Sequence, residues 1–335
     1  MTHNRTNKSK LATRVLGLTM CLALMLGIAM ASPTSMAYAE GGTGTTGGLT
    51  IGGTGDIIGT GYSYEGATQT LTLNGYNGKE IDFSGKTIKV EGENTITVDK
   101  TSEMFPFPGN SAYNCYSAIY SRGAITITGS GSLAVNMETS DVDESCYGIY
   151  AREGMTINGG NIAININSYY GGAGHGLYSN NGSVIIGGSA SLDITTKSNA
   201  IETVGNDIVI SGTGSKKIQV NVGDKNWVTY AIKSTGGNVD ISGPGKVTIL
   251  YTNGDKSHAI NADKQIKIHS KADVETSAMI RSYLIDAAGS PSVEISDSTV
   301  KIPFIYLERE GFVKITDSNV TIKSEYEDSY RTGCV

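Results

Sequence analysis

A three-piece unit repeats along much of this chain, and no other feature restricts its folding as strongly. From Ala118 the sequence reads AIYSRGAITITGSGSLAV, from Gly148 GIYAREGMTINGGNIAINI, and from Gly176 GLYSNNGSVIIGGSASLDI. Each unit holds three short apolar pieces separated by Gly, Ser, Asn or Asp. The plan continues with drift: Ala200-Ile201 leads to IVI at Ile208, Ala231-Ile232 to VDI at Val239, and Ala259-Ile260 to IKI at Ile266. Leu284-Ile285 then leads to VEI at Val293, and Ile305-Tyr306-Leu307 to VKI at Val313. The anchors Ile119, Ile149, Leu177, Ile201, Ile232, Ile260, Ile285 and Leu307 recur roughly every 22–31 residues, the period of a solenoid.

The pieces alternate apolar and polar residues, as in Ile125-Thr126-Ile127 and Val313-Lys314-Ile315. That is the period of a strand. They are rich in Ile, Val and Thr, and Gly or Asn interrupts them too often for a helix to propagate. The Leu-x-x-Leu-x-Leu signature of leucine-rich repeats is absent. The expected fold is all-β: a single-stranded parallel β-helix with three strands per coil, whose inward Ile, Val and Leu stack on the next coil's. About nine to eleven coils at roughly 4.8 Å each predict a stack roughly 50 Å long.

The first 39 residues read as a secretory signal peptide. Arg5, Lys8, Lys10 and Arg14 precede an apolar run from Val15 to Ala31, and Ala37-Tyr38-Ala39 offers a small-x-small cleavage site after Ala39. The expected location is the medium or the cell surface, with no membrane attachment after cleavage. The formal charge of the whole chain is −6, and losing four basic residues makes the remainder more acidic. An acidic chain of this kind carries no electrostatic footprint for nucleic acid. Residues 40–48 are a flexible Gly/Thr linker. Residues 49–84 have strands without the three-piece plan and are expected to form an N-terminal cap and first coil. Residues 85–324 form the β-helix, and 325–335 a polar tail, either sufficient as an end or the start of a longer surface protein.

Four insertions interrupt the plan. One, between Val98 and Ala118, holds Met104-Phe105-Pro106-Phe107-Pro108; a second, Glu138 to Cys146, is acidic; a third carries Tyr169 and Tyr170; a fourth carries the single tryptophan, Trp227. In repeat proteins such insertions gather on one face, often the working face. Directly after the anchor, Tyr120, Tyr150 and Tyr178 occupy one column, replaced later by Glu202, Lys233 and Asn261. Alternation with the anchor points this column outward. Stacked tyrosines there either form a platform for sugar rings or stabilise one another as cross-strand neighbours. Arg122 and Arg152 match two residues further on and suit an anionic ligand or a solvated turn. Two residues before the anchor lies a polar-aromatic column, Tyr147, His175, Asn199, Tyr230, His258 and Tyr283.

Cys115 and Cys146 lie in matching NCYSAIY and SCYGIY stretches, so a disulfide between adjacent coils or a reduced pair is expected. Cys334 is then left over, and self-association through it or through an open solenoid end follows as an expectation. Asp141, Asp143 and Glu144 offer the oxygen chemistry of a calcium site, although no cofactor is required by the fold.

The repeat unit, with Ile125-Thr126-Ile127-Thr128-Gly129-Ser130-Gly131 and Met155-Thr156-Ile157-Asn158-Gly159-Gly160 as its clearest copies, resembles a family of exported bacterial carbohydrate-binding β-helix proteins, fold relatives of pectate lyases. The similarity spans about Thr87 to Ser324. It implies a right-handed helix, cell-surface residence, binding of plant or acidic polysaccharide, and calcium as a structural ion. The family often has Asp-Gly-Ile at the anchor, where this chain has Tyr147-Gly148-Ile149, His175-Gly176-Leu177 and Asn199-Ala200-Ile201.

Three functions remain open from the residues. The first is non-catalytic binding of extracellular polysaccharide through Tyr120, Tyr150, Tyr178, Arg122, Arg152 and Trp227. The second is a surface adhesin or structural stalk that binds protein. The third is a polysaccharide lyase or glycoside hydrolase, with Arg122 or Arg152 beside the acid loop as the lyase base. A hydrolase needs carboxylates converging on one face, whereas Asp193, Asp207 and Asp240 fall on different pieces or turns.

Overall fold

The alternating pieces become strands, and each strand pairs in parallel with its counterpart one coil on. The computed structural model describes residues 48–99, 102, 105–106, 114–139, 145–168, 174–222, 228–252, 257–282, 292–307 and 311–323, all within the unit Tyr38–Val335. The leader, the linker up to residue 47, Asp141, Asp143, Glu144, Trp227, Tyr283 and Cys334 lie outside these residues. A typical coil consists of Ser145–Ala151 in sheet A, Met155–Ile157 in sheet B and Asn161–Ser168 in sheet C. Nine such triplets, about eight turns, run from Ile81–Phe83, Thr87–Glu91 and Glu93–Asp99 to Ile305–Leu307, Val313–Thr316 and Asn319–Ile322. No described residue is helical. The chain is a parallel β-helix, consistent with a pectate-lyase-like fold.

The core is made of ladders of like residues. Ile81, Ile119, Ile149, Leu177, Ile201, Ile232, Ile260, Ile280 and Ile305 stand in register along sheet A. Ile127, Ile157, Ile186, Ile210, Ile241, Ile268 and Ile295 do the same along sheet B. All of them are buried. The last two sheet A anchors correct the sequence reading, which placed them at Ile285 and Leu307. Only two residues separate the sheet C strand ending at Thr276 from Met279–Ser282, so the anchor arrives early, at Ile280, and the longer connection follows it.

Two corners explain the residues beside the anchor. Before it stands a small residue, Ala118, Ala200, Ala231 or Ala259, which is buried together with the anchor itself. The chain bends here and turns two consecutive residues inward. At Gly148 an added Cβ would lie 2.6 Å from Ile164 Cγ2 and 2.6 Å from the Gly176 carbonyl oxygen, so the bend there accepts nothing larger. At the corner leaving sheet A, buried hydroxyls bind turn carbonyls. Thr203 Oγ1 donates to Gly182 O at 2.7 Å, Ser234 Oγ to Asn206 O at 2.7 Å and Ser282 Oγ to Lys264 O at 2.9 Å. Backbone groups that the turns leave unpaired are thereby satisfied.

One inward slot of sheet C breaks the apolar rule. Lys216 stands between Leu192 and Val247 in register and is buried. Its ammonium donates to Ser211 O at 2.8 Å and Gly214 O at 2.6 Å, so the stem fills the core slot while the charge reaches the corner. Burial pushes its pKa down.

The two ends differ. Sheet B finishes at the N-terminal side in an antiparallel meander, Ile57–Gly59, Tyr62–Glu65 and Thr70–Asn74. There Tyr64 packs edge-on against Phe83 at 6.5 Å, and Leu49, Ile51, Ile57 and Tyr64 are buried. At the C-terminal side the last triplet is the edge strand of all three sheets.

The ladders make a direct prediction. Ile210→Ala removes a fully buried side chain from mid-stack and lowers stability by about 2–5 kcal/mol. Val209→Ala, one residue away on the half-exposed face, costs about 1 kcal/mol or less. Urea unfolding followed by far-UV circular dichroism measures both.

Candidate functional site

Sheet A carries the unusual surface residues, in two outward columns. The first, one residue after the anchor, reads Asp82, Tyr120, Tyr150, Tyr178, Glu202, Lys233, Asn261, Arg281 and Tyr306 in register. The second pairs Ser117 with Tyr147, Tyr147 with His175 and Tyr230 with His258. In chain order, all four insertions join a sheet C strand to a sheet A strand. Their ends therefore emerge along one edge of this sheet. The Phe105–Pro106 backbone pairs antiparallel with Asn114 and Cys115 at that edge.

The N-terminal half of the face is aromatic and closed. Tyr120 stacks on Tyr150 at 5.1 Å and 17°, and Tyr150 on Tyr178 at 5.6 Å and 20°. Tyr147 crosses from the second column, at 5.4 Å from Tyr150 and 4.8 Å from Tyr178, and stacks on His175 at 5.0 Å. Tyr120, Tyr147, Tyr150 and Tyr178 are 7% exposed or less and form one buried cluster with Cys115. This corrects the expected open platform. Coil spacing turns each ring face toward the next ring, and the second column covers what remains. Burial, and then the charge of Glu202, pushes the Tyr178 hydroxyl up to about 12.

Of the two states expected for the cysteines, the structure has the one without the disulfide. Cys115 pairs in register with Ser145, and Cys146 with Tyr116. Cys115 stands four residues before Ile119 but Cys146 only three before Ile149, and one residue of slip sends a strand side chain to the opposite face. Cys115 joins the outward aromatic cluster, Cys146 joins the inner core, and neither is in a disulfide. Burial, with Cys146 adding to it, pushes the Cys115 thiol up to about 12.

The C-terminal half of the face is polar. Glu202, itself buried, accepts from Asn199 Nδ2 at 2.7 Å, lies 2.9 Å from His175 Nδ1 and is ion-paired to Lys233 Nζ at 2.8 Å. Burial alone would raise its carboxyl, but the hydrogen bonds and charges of His175 and Lys233 prevail and bring it down to about 2. Asn199 Oδ1 also accepts from the Tyr230 backbone N–H at 2.9 Å. Further along, Tyr230 stacks on His258 at 5.0 Å and 17°. Burial and then Arg281 lower the His258 pKa to about 4, so the ring is neutral at pH 7. Among the described residues, His258 Nδ1 and Asn261 Oδ1 are buried without a hydrogen-bond partner.

Two cations lie over half-buried rings on this half. Lys233 Nζ is 5.2 Å from the Tyr230 ring centre, and Arg281 Cζ is 5.5 Å from that of Tyr306. Arg122 is exposed, with 3.9 Å to Asp82 Oδ2, and Arg152 is exposed as well. Neither joins the polar half. Sequence reasoning found Glu202, Lys233 and Asn261 only as replacements for tyrosine, and it missed Arg281 because the anchor had been placed at Ile285.

No metal or paired-carboxylate centre forms among the described residues. Asp193 lies on sheet C beside Lys217 at 3.4 Å, Asp240 on sheet B beside His269 at 3.0 Å, and Asp207 in a turn accepting from the Asn238 backbone N–H at 2.7 Å. No group of three or more His, Cys, Asp or Glu is placed to hold a metal ion among these residues, so the described residues do not fit a calcium site. No family model, curated protein or solved structure matches the chain.

Two measurements follow. The Glu202 carboxyl is held below its ordinary value of 4.5, so its contribution to stability is complete above about pH 4.5 and is lost as pH falls toward about 2. Glu202→Gln removes that acid-range step from the stability–pH curve. Peptide mapping after alkylation in denaturant without reductant yields separately alkylated Cys115 and Cys146 peptides, and no peptide linked between them.

Proposed function

We propose that this is an exported, non-catalytic β-helix that binds extracellular polysaccharide along the outward face of sheet A, in its polar half. The observation that carries the reading is the row from Tyr230 to Tyr306. It sets two half-buried rings, two cations and an amide side by side at coil spacing. Aromatic faces suit the apolar faces of sugar rings, and Lys233 and Arg281 suit hydroxyls and carboxylates at their edges. A flat row of this kind fits a polymer lying across coils better than a small enclosed substrate. The unpaired His258 Nδ1 and Asn261 Oδ1 lie just beneath it, one donor and one acceptor, and a hydroxyl group offers both functions.

Export rests on the leader-like first 39 residues. The family resemblance of the repeat supports the ligand class, and the cations favour acidic over neutral polymers. Calcium has no part in the row. The tyrosine stack, closed as it is, serves as the rigid half of the face.

Affinity electrophoresis through gels containing acidic or neutral polysaccharide tests this reading. Acidic polymer retards the protein, and retardation is unchanged by a chelator. Lys233→Ala and Tyr306→Ala each weaken it by about 5- to 30-fold, the loss of one desolvated cation–ring group. Tyr150→Ala lowers the thermal midpoint and leaves retardation in place. Absence of retardation in every gel turns the reading toward an adhesin or stalk, and shortening of the polymer turns it toward an enzyme.

A further inference from the structure

We propose that His258 and Asn261 form a subsite that reads a primary hydroxyl group of the bound polysaccharide, so that the preferred polymer combines acidic sugars with sugars bearing a free hydroxymethyl arm. The inference rests on the binding reading above and narrows its ligand class. His258 and Asn261 are 4% and 2% exposed, and His258 Nδ1 and Asn261 Oδ1 are buried without a hydrogen-bond partner. A buried polar atom left unpaired is destabilising, so two of them in one place point to a group that a ligand supplies.

What that group must offer follows from the partners already present. His258 Nε2 is 3.5 Å from Arg281 Nη1. A guanidinium only donates, so Nε2 accepts and the ring proton sits on Nδ1. The subsite therefore presents one donor, His258 Nδ1–H, and one acceptor, Asn261 Oδ1. The two side chains stand two residues before and one residue after the anchor Ile260. At that spacing Asn199 Nδ2 reaches Glu202 directly at 2.7 Å, and the Tyr147 and Tyr150 rings lie 5.4 Å apart. His258 and Asn261 are neighbours in the same way, yet do not bond one another. The next coil is one residue short at this corner, since His258 pairs with Met279 although Ile260 pairs with Ile280. The thioether of Met279 has no proton to give Asn261 and is at most a weak acceptor for His258.

A hydroxyl group completes this pair, because its oxygen accepts from Nδ1–H while its proton goes to Oδ1. A carboxylate has acceptors only and sets an oxygen against Oδ1. The subsite lies beneath the row, so an arm that projects from a sugar ring suits it better than a hydroxyl on the ring itself. In a hexose that arm is the hydroxymethyl group, and in a uronic acid the same carbon is the carboxylate. Asn261 is flanked in register by Lys233 and Arg281, whose charges lie over Tyr230 and Tyr306. In the proposal one of these flexible stems lifts as the arm enters, and the cations meet the carboxylates of the neighbouring sugars. A polymer of uronic acids alone satisfies the cations and not the subsite, and a neutral polymer does the reverse.

Affinity electrophoresis of the protein, in gels of hyaluronate and of polygalacturonate at equal carboxylate concentration, tests the proposal. Hyaluronate alternates a uronate with a sugar bearing a free hydroxymethyl group, and polygalacturonate has a carboxylate on every sugar. The expected dissociation constant is at least about 10-fold lower for hyaluronate. Oxidising the hydroxymethyl groups of hyaluronate to carboxylates removes that advantage, although it raises the charge of the polymer. Charge attraction alone gives the opposite change. His258→Phe, which keeps a ring against Tyr230, and Asn261→Leu each abolish the preference. The oxidised polymer decides the matter on the unaltered chain if either variant fails to fold. Equal or stronger retardation by oxidised hyaluronate or polygalacturonate overturns the subsite and leaves the binding reading in place, as does a preference that survives both variants. No retardation in any acidic gel overturns both.

Discussion

In-register parallel stacking is the constraint from which the rest of this molecule follows. Each strand meets only its own counterpart one coil away, so every residue sits on the residue at the same position of the next unit. Inside, that rule is favourable without qualification, since isoleucine on isoleucine fills a continuous core. Outside, it is selective. Aromatic rings repeat well, as Tyr120, Tyr150 and Tyr178 do, but a repeated charge repels itself. The C-terminal half solves this by alternation. Asp240, Lys267, Glu294 and Lys314 follow one another along sheet B, and Glu202 precedes Lys233 along sheet A. The hydrogen bond from Lys314 holds the half-buried Glu294 carboxyl below its ordinary value, against the opposing effect of burial.

The same rule decides what could be read in the sequence. Period two, the apolar anchors up to Ile260 and the interrupting glycines are local, and they place the three sheets correctly. The column through Tyr178, Glu202, Lys233 and Asn261 was legible for the same reason, because position relative to an anchor fixes which way a residue faces. Exposure was not legible. Whether an outward tyrosine is open depends on the rings above and below it and on Tyr147 in the neighbouring column, a relation between coils that no single unit contains. The cysteines could have been resolved by counting back from the anchor, four residues in one unit and three in the other. Lys216 had no such signal, because a lysine stem in a core slot is recognised only when the carbonyls of Ser211 and Gly214 are found at its end.

The outward face of sheet A therefore has two characters on one frame. Its first half spends its aromatic side chains on itself and is rigid. Its second half leaves the rings of Tyr230 and Tyr306 and the cations of Lys233 and Arg281 partly accessible, beside a buried carboxylate that ties His175, Asn199 and Lys233 together. A binding row gains from such a frame, because side chains already fixed by their neighbours lose little freedom when a ligand arrives. Sheets B and C carry outward ladders of alternating charge and lack this combination among the described residues.

The alternating ladders also bear on how such a chain can change its length. Removing the coil that holds Tyr150 sets Tyr120 on Tyr178, and the stack closes over the gap. Removing the coil that holds Lys267 sets Asp240 on Glu294, and on sheet A brings Lys233 against Arg281. Removing the coil that holds Glu294 sets Lys267 on Lys314. Gain or loss of whole repeats during evolution is thus tolerated in the aromatic half and penalised in the charged half, where sign, rather than shape, keeps the count of coils.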